Sequence, residues 1–278
     1  MFKRITIIGL GLIGGSLAKV IKAKHLAKQV VGVSRRKSTI QKAKSLKIVD
    51  LATLDLKEGV KDSDLIILCS PVLTIIDLAK KIAPFLKKGA IVTDAGSTKE
   101  NIVKEVKKVL GGENYFVGSH PIAGSEKSGI IYGNKELFRD AYCVIIRAKN
   151  TNKMAFNKVE RFWKAVGMKT KKMTAKEHDR IVSRLSHLPH IVSVALVNSS
   201  GDLGLSLAAG GFKDTTRIAS GSPELWGDIF VTNRANIIKD IRSFKKELKK
   251  LEKSLIKNNE KDLKRLLEKA KKFRDSIL

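Results

Sequence analysis

The sequence contains 278 residues, which is long for one domain and sufficient for two domains of roughly 100–200 residues each. Hydrophobic residues make up 43% of the chain, so it can bury a core, and a largely disordered protein is excluded. No apolar run approaches the roughly 18–20 residues of a membrane helix, and the apolar N-terminus carries four glycines, so neither a membrane protein nor a signal peptide is expected. Two cysteines, Cys69 and Cys143, are too few for a disulfide framework and predict a cytoplasmic location.

The charge is strongly basic, with 55 Lys and Arg against 27 Asp and Glu and a net charge of +28. Surfaces that bind nucleic acid favour arginine and aromatic side chains. Here 42 of the cations are lysines, aromatic residues are only 5%, and the lysines are scattered along the chain. We therefore expect no nucleic-acid partner, and we expect the charge to attract small anions.

Up to about residue 173, short β-rich segments alternate with helical patterns. The predicted strands are Arg4–Ile8, Val30–Ser34, Leu65–Ser70, Ala90–Asp94, Phe116–Gly118, Tyr142–Arg147 and Lys169–Met173. The predicted helices are Ser16–Lys24, Leu73–Phe85, Thr98–Val109 and Asn152–Val166. Several strands are continuous apolar runs, which is typical of parallel strands buried on both faces. The alternation predicts a doubly wound α/β domain.

Strand signals end at Thr174, after which segments 174–200, 202–211 and 223–278 are predicted to be helical. No Gly/Ser linker separates the two parts, so two packed domains are expected, residues 1–173 and residues 174–278.

The last helical segment carries an apolar stripe with steps of four and three residues. The stripe consists of Ile237, Ile241, Phe244, Leu248, Leu251 and Leu255. It predicts either a core-packing helix or a subunit interface, and a small helical domain gains by sharing its core with a partner.

A predicted strand runs directly into a Gly-x-Gly-x-x-Gly loop near the start of the chain. The residues assigned to a dinucleotide cofactor here are Gly9, Gly11, Leu12, Ile13 and Gly14. The first glycine permits a tight turn, the second lets the backbone approach a pyrophosphate, and the third lets the next helix pack closely. That helix directs its N-terminal amides at the phosphates. A strand before the loop and a helix after it make the assignment more specific than the glycines alone.

Cofactor choice is expected about twenty residues after the last glycine, at the end of the second strand. Ser34, Arg35 and Arg36 occupy this place. An acid there would bind the ribose 2′-hydroxyl of NAD, whereas a hydroxyl and two guanidinium groups suit the 2′-phosphate of NADP. This favours NADP over NAD, and the alternative is that both arginines are ordinary surface charge.

Two further segments follow buried strands, at the sheet edge where ligands bind in open α/β folds. The first contains Ser97, which could also cap a helix. The second contains His120, followed by Pro121 and surrounded by small residues. A histidine there is suitably placed as a general base beside a nicotinamide ring, and the alternative is a structural histidine.

The helical part contains a second histidine motif, with Pro189 between His187 and His190. A proline inside a helix frees the carbonyl of Leu185 and predicts a kink that turns both histidines to one side. Two histidines three residues apart could bind a metal, but no third ligand stands at a familiar spacing, so no metal is expected.

These motifs together resemble the prephenate and arogenate dehydrogenases of tyrosine biosynthesis. The segments that carry the resemblance are GLGLIGGS (9–16), CSP (69–71), DAGSTK (94–99), GSHPIAGSE (118–126), HDRIVSRLSHLPH (178–190) and GGFKDTTRIASGSPELW (210–226). The resemblance is greatest to prephenate dehydrogenase and covers the whole chain. It implies a Rossmann-like N-terminal domain, an all-α C-terminal dimerisation domain and a homodimer. It also implies oxidative decarboxylation of a cyclohexadienol.

The same resemblance implies roles for individual residues. His120 accepts the proton of the ring hydroxyl as hydride leaves the same carbon, and Ser97 orients His120. Arg217 binds a substrate carboxylate, and His190 is a second substrate contact. Further residues implied are His187, Asp214 and Trp226 at the substrate and Ser70 and Pro71 at the dinucleotide. Loss of carbon dioxide aromatises the ring, so this chemistry needs a positioned base and a hydride acceptor but no metal.

Three alternatives stay open. An arogenate dehydrogenase would act on the amino analogue, and the Ser34 segment resembles NADP-using relatives of that kind, whereas His190 favours prephenate. A regulator would keep the dinucleotide site without catalysis. A nucleic-acid-binding protein would lose its ligand steeply with salt.

Overall fold

The computed structural model describes residues 2–125, 127–149, 151–201 and 204–277. The chain forms two compact units, Met1–Asn233 and Arg234–Leu278.

The first unit is built on a six-stranded sheet in the order β3-β2-β1-β4-β5-β6, with every neighbouring pair parallel. Its strands are β1 (Phe2–Ile8), β2 (Ala27–Val33), β3 (Leu51–Thr53), β4 (Leu65–Leu68), β5 (Ile91–Asp94) and β6 (Tyr115–Val117). The order reverses between β1 and β4, and ligands bind at such a switch point in open α/β sheets.

The helices that follow these strands are α1 (Leu12–Ala23), α2 (Lys37–Ser45), α3 (Leu56–Val60), α4 (Val72–Ile82) and α5 (Glu100–Val109). Strand β4 shows how the layers form, because its four apolar residues are fully buried. Leu65 and Ile67 join one apolar cluster with residues of α1, and Ile66 and Leu68 join a second cluster with residues of α4 and α5. Alternate side chains thus point to opposite faces, and each fully buried side chain of this size stabilises the fold by roughly 1.5–3 kcal/mol.

A second, three-stranded sheet continues the chain after β6. It consists of β7 (Ser119–Pro121), β8 (Tyr142–Ile146) and β9 (Lys169–Met173), with β7 antiparallel and β9 parallel to β8. Helix α6 (Lys153–Val166) connects β8 to β9, and its apolar face joins the same cluster as α1. Gly118 therefore marks the point where the chain leaves one sheet for the other.

The rest of the first unit is helical. Its elements are α7 (Ala175–Val182), a π-helical segment (Ser183–His187), α8 (Leu188–Ser200), α9 (Gly210–Thr216) and α10 (Pro223–Thr232). Ile229, Trp226 and Phe230 of α10 pack against the apolar cluster that contains α4 and α5, so this helix covers part of the main sheet.

The second unit consists of α11 (Arg234–Ile256) and α12 (Glu260–Asp275), which contact each other. In the predicted stripe, Phe244, Leu248 and Leu255 are 37%, 54% and 65% exposed in the single chain. Among the described residues, no helix combines the length and apolarity of a membrane span.

The predicted doubly wound sheet and the helical C-terminal part are confirmed. Two strands escaped prediction, β3 and β7, because three residues are too few to display a periodicity. The predicted helix at 202–211 is wrong over residues 204–209, which contain only a short 3-10 turn, Leu205–Leu207, and residues 202 and 203 lie outside the described residues. Gly201 and Gly204 adopt positive φ angles of 58° and 72°, which interrupts a helix at this point.

Candidate active site

The glycine loop joins β1 to α1 through a conformation that only glycine accommodates. Gly9 has a φ of 97°, and a Cβ on it would overlap the carbonyl oxygen of Cys69. A Cβ on Gly14 would overlap the carbonyl oxygen of Gly9, so α1 starts in direct contact with the loop. A Cβ on Gly11 would meet no described atom within 4 Å, and no side chain caps the N-terminus of α1. The loop thus leaves open space and free N–H groups where phosphates would bind.

Ser70 and Pro71 lie beside this loop, at the end of β4. Ser70 Oγ would lie 2.9 Å from a Cβ on Gly9, and Pro71 is the exposed residue before α4.

The C-terminal end of β2 is followed by Ser34, Arg35 and Arg36, which lie at the same edge of the sheet. Ser34 is half-buried and its Oγ accepts the N–H of Arg36 at 3.3 Å. Both arginines are exposed, and neither forms an ion pair with any residue that the structure describes. The two guanidinium groups are therefore available to an anionic ligand.

A fully buried ion pair ties the loop after β5 to the strand that carries His120. Asp94 and Lys99 are both 0% exposed and their charged groups form a direct hydrogen bond. The Asp94 carboxylate also accepts the N–H of Gly96 at 2.9 Å and the N–H of Ser119 at 3.1 Å. Lys99 Nζ donates to the carbonyl of Ser119 at 2.9 Å. Both backbone polar groups of Ser119 are thus fixed by one buried pair.

The Ser119 side chain extends this network into the core. Its Oγ donates to the carbonyl of Asp94 at 2.6 Å and accepts from Nε1 of Trp163 at 3.0 Å. Thr93 Oγ1 lies 2.8 Å from the same oxygen. Trp163 is fully buried on α6, so β7 is clamped between α6 and β5. These contacts hold the backbone of Ser119 in place, and His120 is the next residue along the chain.

The imidazole of His120 is the first of three side chains connected by hydrogen bonds. His120 Nδ1 lies 2.8 Å from Nε2 of His178, and the two rings meet edge to face. His178 Nδ1 lies 2.7 Å from Oδ1 of Asp179. No described residue forms a hydrogen bond with His120 Nε2, which is the ring nitrogen that does not contact His178.

The start of α7 positions His178 and Asp179. Thr174 and Glu177 form a capping box that fixes the first turn of α7. Asp179 then accepts the N–H groups of Lys99 and Glu100 at 2.7 and 2.9 Å, so its carboxylate caps the N-terminus of α5. One aspartate thereby links α5, α7 and the buried ion pair.

A π-helical turn follows α7 and accommodates the proline. The N–H of Leu188 bonds to the carbonyl of Ser183, five residues earlier, and α8 begins there with Pro189 in its first turn. Where a kink was predicted at Pro189, the structure has one extra residue in the preceding turn, and α8 continues through the proline. Asn233 Nδ2 donates to the carbonyl of Asp179 at 2.7 Å and lies 3.1 Å from Nδ1 of His187.

His190 and Trp226 form a stacked pair, with ring centroids 3.6 Å apart and an interplanar angle of 18°. The His187 ring meets the same indole edge to face, with the two ring centroids 6.2 Å apart. A Cβ on Gly221 would overlap the Trp226 ring, so the stack requires glycine there. His190 Nδ1 is buried with no hydrogen-bond partner among the described residues, and burial lowers the pKa of this histidine. Buried polar atoms are almost always hydrogen-bonded, so an unpaired nitrogen of this kind indicates a partner such as a ligand or a water.

Burial also lowers the pKa of the other three histidines of the site, His120, His178 and His187. It lowers the pKa of His120 well below its usual range, and the nearby His178, Lys99 and His187 add to this effect. Burial also lowers the pKa of His178, although the bond to Asp179 opposes it. The pKa of His187 falls to about 4, chiefly through burial. A neutral histidine can accept a proton at neutral pH.

Ser97 differs from expectation. It is half-buried in the loop after β5, it forms no hydrogen bond to any described residue, and it does not cap α5. The group that contacts His120 is His178, because α7 brings that ring within hydrogen-bond distance.

Arg217 and Asp214 are exposed on the segment that runs from α9 into a 3-10 turn, Arg217–Ser220, packed against α8. Among the described residues, no three metal-ligating side chains cluster around a common point.

The sequence alone predicts no role for His178, Asp179 or Lys99. A capping box directly before a His-Asp pair was an available signal, since it places both residues in the first two turns of a helix. The contact of His178 with His120 spans 58 residues and that of Asp179 with the Lys99 N–H spans 80 residues, and no local pattern predicts such contacts.

Comparison with known proteins agrees with this geometry. A family model described as prephenate dehydrogenase, nucleotide-binding domain, matches residues 17–172. A second, described as prephenate dehydrogenase, dimerization domain, matches residues 174–269.

Individual relatives extend over nearly the whole chain. Prephenate dehydrogenase of Lactococcus lactis subsp. cremoris is 36% identical, with 99% of this chain and 77% of that protein covered. The crystal structure of prephenate dehydrogenase from Aquifex aeolicus with hydroxyphenyl propionate and NAD+ has a TM-score of 0.93 and 34% identity, covering 100% of this chain and 99% of that chain. The structure of Synechocystis arogenate dehydrogenase has a TM-score of 0.84 and 32% identity, covering 99% and 100%. The predicted resemblance is confirmed, and the chain belongs to the prephenate dehydrogenase family.

Proposed function

We propose that this chain is a prephenate dehydrogenase, which converts prephenate to 4-hydroxyphenylpyruvate and carbon dioxide while hydride passes to NAD(P)+. The observation that carries this proposal is the place of His120 at the carboxyl edge of the sheet, with Nδ1 2.8 Å from His178 Nε2 and with no described residue bonded to its Nε2. Family membership and the relatives' names support the same activity.

The glycine loop fits a dinucleotide. Gly11 borders open space, Gly9 and Gly14 are sterically required, and the N-terminus of α1 has no side-chain cap. Leu12 and Ile13 supply the first amides of α1, and Ser70 and Pro71 border the loop. When bound, the dinucleotide supplies the acceptor for hydride.

His120 acts as the general base in this proposal. Its Nε2 takes the proton of the ring hydroxyl, so the O–H bond breaks as the C–H bond of the same carbon releases hydride. The bond to the ring carboxylate then breaks, and its electron pair completes the aromatic ring. His120 must be neutral for this step, and burial keeps it so.

The substrate is held by the residues around the His190–Trp226 stack. The unpaired His190 Nδ1 can bond to a polar substrate group, and His187 lies on the edge of the same indole. Arg217 is the proposed partner of a substrate carboxylate, with Asp214 and Trp226 in the pocket wall. Ser97 lies at the same sheet edge and completes the proposed site.

For the cofactor, we favour NADP over NAD. Exposed Arg35 and Arg36 follow the half-buried Ser34, and no carboxylate occupies the position that would bind the ribose hydroxyls of NAD. A 2′-phosphate would gain charge-assisted hydrogen bonds, and NAD would meet no repulsion.

We also propose a homodimer, a domain boundary near residue 173 and a cytoplasmic location. The family description of residues 174–269 as a dimerization domain supports the dimer, as do the exposed apolar residues Phe244, Leu248 and Leu255. Cys69 and Cys143 are both free thiols, which fits a reducing compartment.

Steady-state kinetics with prephenate or arogenate, each with NAD or NADP, tests the proposal. We expect turnover with prephenate, and His120→Asn should lower kcat by roughly 10²–10⁴-fold while dinucleotide affinity is retained. The similarity to Synechocystis arogenate dehydrogenase favours arogenate as the second candidate substrate. Dinucleotide binding without turnover of either substrate would indicate a regulator instead, and salt-sensitive binding to nucleic acid would indicate the third class.

A further inference from the structure

We propose that His178 and Asp179 form a proton relay with His120, in which His178 is a positioning residue that fixes the tautomer of His120 and receives its Nδ1 proton. This inference rests on the proposed role of His120 as the base. It assigns a role to two residues that touch neither substrate nor dinucleotide in the proposed site.

The hydrogen bonds determine where each proton lies. The Asp179 carboxylate can only accept, and it already receives the N–H of Lys99 on Oδ1 at 2.7 Å. His178 Nδ1, also 2.7 Å from that oxygen, must therefore carry a hydrogen. A neutral His178 then presents a lone pair on Nε2, so His120 Nδ1, 2.8 Å away, must donate. His120 consequently keeps a lone pair on Nε2, where the base needs it.

The surrounding charges determine where a second proton is best placed. A proton retained by His120 alone would leave a cation near the Lys99 ammonium, with His187 also facing the site. The charged groups that act on His178 are Asp179 and Asp94, which favour a cation there, and Lys99, which opposes it. Moving the charge to His178 brings it into direct contact with the Asp179 carboxylate.

The relay follows as a balanced transfer. The substrate O–H bond breaks and a bond from hydrogen to His120 Nε2 forms. The His120 Nδ1–H bond breaks, and that hydrogen bonds to Nε2 of His178. His178 becomes an imidazolium paired with Asp179, and His120 ends neutral with its hydrogen on Nε2. After product leaves, His120 Nε2 loses its proton to solvent. His178 Nε2 then returns its proton to His120 Nδ1, which restores the starting state.

The decisive variant is His178→Gln. A glutamine carbonyl can accept from His120 Nδ1, so it keeps the tautomer, but it cannot take up the proton. The rate of single-turnover hydride transfer is measured by the absorbance of the reduced dinucleotide in H₂O/D₂O mixtures. Its dependence on the deuterium fraction shows how many protons move in the rate-limiting step. We expect a curved dependence on the deuterium fraction in the wild type and a linear one in His178→Gln. The rate should fall at least about tenfold, with KM for prephenate unchanged.

A matched control separates this effect from loss of structure. Thr174→Ala removes the capping box of the helix that carries His178, but leaves the relay residues in place. It should lower stability without changing the curvature. A linear wild-type dependence, or His178→Gln with the wild-type rate, would overturn the relay.

A second measurement does not depend on any variant. The chain has only five histidines, so ¹⁵N-histidine NMR can assign each ring. The relay requires His120 protonated on Nδ1 and His178 protonated on Nδ1 near neutral pH, and the opposite tautomer of either ring would refute it. Failure of the proposed function would look different, because wild type would then not oxidise prephenate at all.

Discussion

The buried pair of Asp94 and Lys99 offers a direct test of how the active-site backbone is held. Lys99→Met would leave the Asp94 carboxylate fully buried, with only the N–H groups of Gly96 and Ser119 as partners. The carbonyl of Ser119 would also lose its bond from Nζ. Removing one member of a buried ion pair typically costs about 3–5 kcal/mol, because the remaining charge is uncompensated.

Asp94→Asn combined with Lys99→Met removes both charges together. The amide oxygen of asparagine can still accept a backbone N–H, so we expect the double variant to recover at least about 2 kcal/mol relative to Lys99→Met alone. Urea unfolding at fixed protein concentration, extrapolated linearly to water, measures each free energy. As a control, Lys88→Met breaks the exposed pair with Glu113, whose side chains are 78% and 58% exposed, and should change little.

Two results would refute this reasoning. A cost below about 1 kcal/mol for Lys99→Met would mean that the carboxylate is compensated without the ammonium. A double variant no more stable than the single one would mean that the loss comes from packing of the lysine side chain, not from an unpaired charge.

Further measurements test the site and its titration. Arg217→Ala should raise KM for prephenate at least tenfold, about 1.4 kcal/mol, with dinucleotide affinity unchanged; an unaltered KM in steady-state kinetics would assign Arg217 a structural role. Ser34→Asp with Arg35→Ala should reverse an NADP preference, measured as the ratio of kcat/KM for the two dinucleotides, and a wild type that prefers NAD would contradict the cofactor proposal. The His187 pKa of about 4 lies below the value of 6.5 in an unfolded chain, so the unfolded state binds more protons between these values. The titration of His187 should therefore contribute a loss of stability of up to about 3 kcal/mol as pH drops from 6.5 to 4, measured as the difference between the urea-unfolding profiles of the wild type and His187→Gln, and two parallel profiles would show that His187 stays accessible to protons in the fold.

The sequence predicted the features that depend on local pattern. The buried strands were evident as apolar runs, and the glycine loop was evident from spacing, because steric demands at Gly9 and Gly14 leave no alternative residue. His120 could be singled out because it follows a strand and precedes a proline.

What could not be predicted depends on contacts between distant parts of the chain. His178 matters because α7 places its ring against His120, 58 residues away in sequence. The role of Lys99 follows from complete burial beside Asp94, yet in a chain with 55 cations one lysine carries no distinguishing signal. The change of sheet at Gly118 was also hidden, since β7 continues within two residues of the end of β6.

The π-helical turn at Ser183–His187 makes the length of this segment critical. An α-helix rotates by about 100° per residue, so deleting one residue here would turn α8 by that amount relative to α7, while α10 stays packed against α4. His190 would leave the Trp226 ring, although His178 would keep its place beside His120. Deletion of Ser186 should therefore yield a chain that folds around an intact base but has lost its substrate contacts. Insertions and deletions among natural relatives should accordingly avoid these five positions and collect instead in exposed loops.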